Sequence, residues 1–429
     1  MTSATIDRAA IEASRAERID WRFKGLPAAL HGLTLAEAAA RRLDLFEDGF
    51  WGPVVVLDAP AMRHNLDTMS AWCADNGLRL APHGKTTMAP QLFADQLDAG
   101  AWGITAANAS QLRVYRAFGV GRVLLANQLV DPAALRWLSG ELDRDPGFEF
   151  VCWADSVRGV RLMTEALTAA GGSRPVDVLV ELGGENGRTG ARDLDTAVAV
   201  GEAIAASPVL RLAGTGGYEA AVAHGDLATK TSTVDEYLAR LRELTVRLAG
   251  HIDGQVIVTA GGSAYFDQVA AAITEPWPDG LDVLPVLRSG AYLTHDDGYY
   301  RQYSPFGREH RLGGGSPFRS GLRAWAQVTS RPEPRLALLT VGKRDVSFDE
   351  GFPEPQLLRS GTSTTALAGC EISALNDQHA FLRLASDNQV EVGDWVGLGL
   401  SHPCTVFDKW QLLPVVEGTT VVDYVRTWF

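Results

Sequence analysis

Cysteine is scarce in this chain: Cys73, Cys152, Cys370 and Cys404 are spread over 429 residues. So few in so long a sequence exclude a disulfide framework. Three of them read as small core hydrophobes, and Cys404 is set apart by its neighbour His402. Targeting and membrane signals are missing as well. Met1 to Asp20 mixes acidic, basic and alanine residues without an apolar h-region, and no later stretch runs to 18 apolar residues. A soluble, cytoplasmic protein with no membrane partner is expected. Positive charge is also in short supply. A net charge of −13 sets up a field that repels phosphate backbones, so nucleic acid is not an expected partner.

What is present is ample apolar material, 46% of residues, enough for one core of about 250 residues and a smaller unit beside it. Val54-Val55-Val56-Leu57 reads as a first strand. Short apolar strands then alternate with amphipathic helical stretches. The strands begin near Leu78, Gly103, Val123, Phe148, Val178, Leu210, Val256 and Val283, and the helical stretches include Ala109 to Phe118, Ser156 to Ala170, Asp193 to Ala206 and Ser232 to Leu248. Eight such repeats predict a parallel (β/α)₈ barrel, with a doubly wound open sheet as the competing arrangement.

From about Ser316 the texture becomes alternating short segments with Pro- and Gly-rich loops, such as Gly351 to Pro355, which predicts an all-β unit. The expected organisation is therefore α/β. Residues 1–50 form a helical extension that contributes to the second domain, 51–315 the barrel, and 316–429 a C-terminal β domain. The Val54 strand could join that domain and bring the chain ends together.

A barrel of this type works at the C-terminal ends of its strands, and those positions are polar here. His83 and Lys85 follow the first barrel strand, Asn127 and Gln128 the third, and Gly183 to Gly190, with Arg188 inside it, the fifth. Tyr218 and Glu219 follow the sixth and Gly261-Gly262-Ser263 the seventh. A lysine in such a place reads first as a solvated loop residue. Desolvation beside apolar strands instead makes it a nucleophile toward an aldehyde. Two glycines ahead of a serine more often simply turn the chain, but at the seventh strand they can bring amides to a phosphate. Arg188 suits a pyridine nitrogen or a carboxylate, and Tyr218 a ring-lining or packing role. His402-Pro403-Cys404 places an imidazole and a thiol on one side of an extended segment, a pair able to bind Zn²⁺ with coordination positions left open. The alternative is a buried histidine beside a core cysteine. His224, His295, His310 and His379 lack comparable partners and read as structural or surface residues.

Taken together, these segments resemble the D-serine dehydratase and D-threonine aldolase group of fold-type III pyridoxal-phosphate (PLP) enzymes, relatives of alanine racemase. The resemblance runs from about Trp51 to the C-terminus. Its carriers are Pro82-His83-Gly84-Lys85-Thr86, Gly100-Ala101-Trp102-Gly103-Ile104-Thr105, Gly187-Arg188-Thr189-Gly190, Gly217-Tyr218-Glu219, Gly261-Gly262-Ser263 and Ser401-His402-Pro403-Cys404.

The resemblance implies that Lys85 is the Schiff-base lysine, Arg188 the partner of the pyridine nitrogen, Tyr218 a ring-pocket residue and Gly261, Gly262 and Ser263 the phosphate cradle. His83 and Asn127 complete the implied cofactor pocket. His402 and Cys404 are the implied ligands of Zn²⁺ or another divalent ion. Cysteine at the second ligand position is similar to the dehydratases, whereas the aldolases carry aspartate there. The implied reaction removes the β-hydroxyl of a small D-amino acid, in a homodimer. An aldolase, a racemase and a non-catalytic PLP carrier are the alternatives. Thr87 and Met88 depart from the histidine and lysine that often follow the lysine-threonine pair. Val341 to Pro353 looks like relatives labelled amino-acid deaminases.

Overall fold

The structure, a computed structural model, describes residues 4–308, 311–385 and 390–429. His310 lies outside the described residues. Eight strands, all parallel, form one sheet: β2 (Arg79–Leu80), β3 (Ile104–Ala106), β4 (Arg122–Gln128), β5 (Glu149–Ala154), β6 (Val176–Leu182), β7 (Leu210–Gly217), β8 (Val256–Ala260) and β9 (Val283–Leu287). β1 (Val54–Asp58) lies elsewhere. The order β2-β9-β8-β7-β6-β5-β4-β3 leaves β2 and β3 at its two ends. Trp102 N to Leu80 O at 2.7 Å, Thr105 N to Pro82 O at 2.8 Å and a bridge between His83 and Thr105 join them and close the barrel.

These strands read as unbroken apolar runs because both faces are covered, one by the barrel interior and one by helices. In β6, six of seven residues are buried. The helices start where short polar side chains take up the first free amides. Asn108 accepts from Gln111 N, Asp131 from Ala133 N and Ala134 N, Ser156 from Gly159 N and Asp193 from Thr196 N. Each such cap is worth about 1 kcal/mol.

The second sheet has ten strands. Its main path runs β13 (Ser363–Ala366), β12 (Glu354–Ser360), β16 (Trp395–Gly399), β10 (Leu322–Glu333), β1, β17 (Leu412–Glu417), β18 (Thr420–Arg426). β11 (Leu336–Leu339), β14 (Glu371–Leu375) and β15 (Ala380–Arg383) branch from β10. β1 pairs antiparallel with β10 and parallel with β17, so the strand that opens the barrel region belongs to this sheet. Ile19, Phe23, Leu30, Leu35 and Phe50 share a core with Val54, Val56, Trp325, Leu412 and Tyr424, which seats the N-terminal segment on the same sheet. The Pro-rich loop expected at 351–355 runs directly into β12. Pro355 is accommodated because the ladder with β16 shifts register there and needs no amide from it. Among the described residues, no helix is long and apolar enough to cross a membrane.

Candidate active site

Gly84, Lys85 and Thr86 form a single 3₁₀ turn just beyond β2. A side chain at position 84 would put its Cβ 2.5 Å from Tyr115 Oη and 2.9 Å from Phe93, so only glycine lets this turn press into the barrel wall. Lys85 is thereby directed into a cavity of about 320 Å³ at the barrel mouth. This is near the lower end of the range for small-molecule sites, ~300 Å³. All ten residues singled out above line that one cavity.

Burial lowers the Lys85 pKa. A neighbouring Cys404 thiolate raises it, and Arg188 and Arg288 lower it further. Burial likewise holds His83 well below its ordinary value, reinforced by the charges of Lys85, Arg288 and Arg188. His83 is therefore a neutral imidazole.

The far wall is less uniform than the sequence implies. Arg188 is exposed at the cavity lip, its guanidinium carbon 5.0 Å from the Tyr218 ring centre. Its loop is pinned by the Thr189 hydroxyl on Glu181 (2.9 Å) and by Gly190 N on Asp155 (3.1 Å). Asn127 is exposed, and its amide is already engaged with Ala107 O at 2.9 Å. The amides of Gly261 and Gly262 do meet an anion, but one supplied by the chain itself: the Glu219 carboxylate, at 2.9 and 2.8 Å. Ser263 Oγ accepts from Ala291 N at 3.3 Å, and Ser263, Gly290 and Ala291 line the cavity beside the two glycines. Thr87 and Met88 are buried away from it.

Several lining residues were not foreseen. Arg288, directly after β9, is 2% exposed and donates to Thr259 Oγ1 (2.6 Å) and Gly217 O (2.5 Å). Burial lowers it to about 10. Its guanidinium lies 4.8 Å from the Trp153 ring centre, forming the floor of the cavity. The strand-end reading that found Lys85 would have found Arg288 had it been applied to the eighth strand. Trp153 lies inside β5 and gave no such signal.

The lid comes from the second sheet. His402 and Cys404 reach the cavity from the loop after β16, and Cys404 Sγ donates to Thr86 Oγ1 at 3.4 Å. His402 has a φ of +50°, rare for a non-glycine residue. Asp296 Oδ2 holds its amide at 3.0 Å. A hydrogen bond with Cys404 is the main cause that raises His402 to about 9. Burial alone would raise the Cys404 thiol, but hydrogen bonding with His402 and Thr86, with the charges of His402 and Lys85, holds it below its ordinary value.

The pocket offers what an anionic aromatic cofactor needs. His83 Nδ1, Trp153 Nε1 and Arg288 Nε are buried against it without hydrogen-bond partners among the described residues. Lys85 supplies a depressed amine. A metal ion would find two protein ligands, His402 and Cys404. Among the described residues no group of three or more His, Cys, Asp and Glu could hold one. That donor set fits an open site completed by water or substrate and does not fit a closed structural one.

Residues 321–416 match the family model "Putative serine dehydratase domain". The chain is similar to D-threonine aldolase of Arthrobacter sp., 27% identical over 86% of this chain and 90% of that one. Solved structures share the fold, two of them over most of both chains. D-threonine aldolase from Filomicrobium marinum is 24% identical with a TM-score of 0.73, over 88% of this chain and 95% of the other. A histidine-to-alanine variant of D-threo-3-hydroxyaspartate dehydratase is 18% identical with a TM-score of 0.71, over 92% and 98%. A companion structure of that dehydratase replaces a cysteine two positions after that histidine and is described as metal-free.

A lysine-bearing barrel mouth capped by a β-sheet unit defines the class as the alanine racemase-like fold. Over most of its length the chain is similar to fold-type III PLP enzymes that act on D-amino acids.

Proposed function

We propose that this protein is a PLP- and metal-dependent lyase that removes the β-hydroxyl of a D-β-hydroxy amino acid, such as D-serine, to give a 2-oxo acid and ammonia. The observation that carries the reading is that Lys85 and the His402–Cys404 pair face one cavity and are joined through Thr86.

PLP, when bound, delocalises the negative charge left at Cα. The chain's part is to bind, orient and move protons. Lys85, kept low by burial, takes the Cα proton. Ser263, Gly290, Ala291 and Arg288, which line the cavity, would hold the cofactor and its phosphate. Arg188, at the lip, is placed for an incoming carboxylate. His402 and Cys404 would hold Zn²⁺, which as a Lewis acid makes hydroxide a better leaving group. The dehydratase whose variants alter a histidine and a cysteine two apart supports this choice.

An aldolase that cleaves Cα–Cβ is the second reading, favoured by the 27% identity to D-threonine aldolase. Incubation with D-serine and D-threonine separates the two. Pyruvate and 2-oxobutyrate are expected, whereas glycine with acetaldehyde and no keto acid would establish the aldolase. The protein is also proposed to be a homodimer. Phe348 and Phe352, 41% and 47% exposed beside the metal loop, are candidates for the buried contact. A monomer at micromolar concentration in sedimentation would overturn that.

A further inference from the structure

Asp349 stands 53 residues before His402 in sequence, and its carboxylate meets the imidazole: Oδ2 lies 2.6 Å from Nδ1. The other oxygen, Oδ1, accepts from the Thr405 hydroxyl at 2.8 Å, and that hydroxyl also reaches His402 O at 3.3 Å. The carboxylate is thus clamped by the loop it orients. The backbone of His402 is fixed separately, by Asp296 on its amide in the left-handed conformation. Ring and backbone are each held by a different acid, more than an isolated surface ion pair would need.

We propose that Asp349 is a positioning residue that aims His402 at the metal. The inference rests on the metal reading above. A carboxylate on Nδ1 favours the tautomer with its proton there, which leaves the Nε2 lone pair for the cavity beside Cys404. Carboxylates behind metal-binding histidines fix ring orientation and raise ligand basicity in the same way, and their loss typically weakens metal binding about 10–100-fold. Asp349 does not line the cavity, so it acts through the loop it holds, on the His402 ring and the Thr405 hydroxyl.

The test is the Zn²⁺ dissociation constant of full-length holoenzyme, measured by competition with a chromophoric chelator, for wild type, Asp349→Ala and Asp349→Asn. The Asp349 side chain is 42% exposed, so neither change disturbs the core, and the cofactor's visible absorption serves as the check on the pocket. Expected is a roughly 10–100-fold weaker affinity for the alanine variant. A smaller loss is expected for asparagine, whose amide oxygen still accepts from Nδ1–H, with unchanged cofactor absorption in both. Wild type binding one ion per chain, with Asp349→Ala binding within twofold of it, would overturn the role of Asp349 and leave the metal reading standing. Wild type that binds no divalent ion would overturn the metal reading, and this inference with it.

Discussion

The Cys404 thiol donates to the hydroxyl of Thr86, the residue next to Lys85, across 318 positions of sequence. The barrel's reactive turn and the loop from the second sheet are thereby parts of one site. Substitutions on either side should be felt at the other.

Removing the buried amine is the most direct check on the cavity. Lys85→Ala is expected to cost at least ~10³-fold in turnover, within the range for loss of a positioned proton-transfer group. The visible absorption of lysine-bound PLP should disappear with it. Lys85→Arg should fail equally, since a guanidinium does not give up its proton. Retention of the wild-type spectrum by Lys85→Ala would remove that residue from its role.

Glu219 is fully buried and has two glycine amides as its partners. Desolvation raises its pKa, and those amides act in the opposite direction. Glu219→Ala leaves both amides unsatisfied at about 1–3 kcal/mol each. Urea denaturation should show a loss of roughly 2–6 kcal/mol on that basis, and PLP should bind more weakly as the loop before Ser263 relaxes. Glu219→Gln keeps one acceptor and should cost less. Equal losses in the two variants would show that the amides are not what Glu219 secures.

His295 is 6% exposed beside Phe318, and burial, with Arg301 adding to it, holds the imidazole down to about 4. The folded protein therefore keeps this ring neutral where the unfolded chain, near 6.5, takes up a proton. Its contribution is fully present above about pH 6.5 and is lost as pH falls toward 4, by about 3 kcal/mol at most. Thermal unfolding of His295→Asn should show a flatter acid limb over this window than wild type. Asparagine is chosen because residue 295 has a φ of +49°. Parallel acid limbs would refute the assignment.

The barrel was legible because most of its strands are apolar runs and several are followed by a capped helix start, such as Asp131 or Ser156. The second sheet was only partly so. β13 is exposed along its whole length and β14 carries a register shift, so neither shows the alternation that marks a half-buried strand. In the site, Lys85, Tyr218 and Ser263 could be placed by counting strand ends. The engagement of Gly261 and Gly262 by Glu219 could not, because sequence shows a flexible turn and not where its amides point. Asp349 and Asp296 were invisible for a different reason: Asp349 reaches His402 from another loop of the second sheet and Asp296 from the end of the barrel, and no local spacing links either of them to His402.

Asp296 binds the amides of Gly298 and Tyr300 on Oδ1, at 3.0 and 2.8 Å, and that of His402 on Oδ2. It lies outside residues 321–416, the stretch that matches the serine dehydratase family model. A chimera that transplants only that stretch onto another barrel would carry His402 and Cys404 but not the carboxylate that seats their loop. The portable unit of this chemistry starts upstream of the matched stretch, and domain-swap engineering has to cut the chain before Asp296.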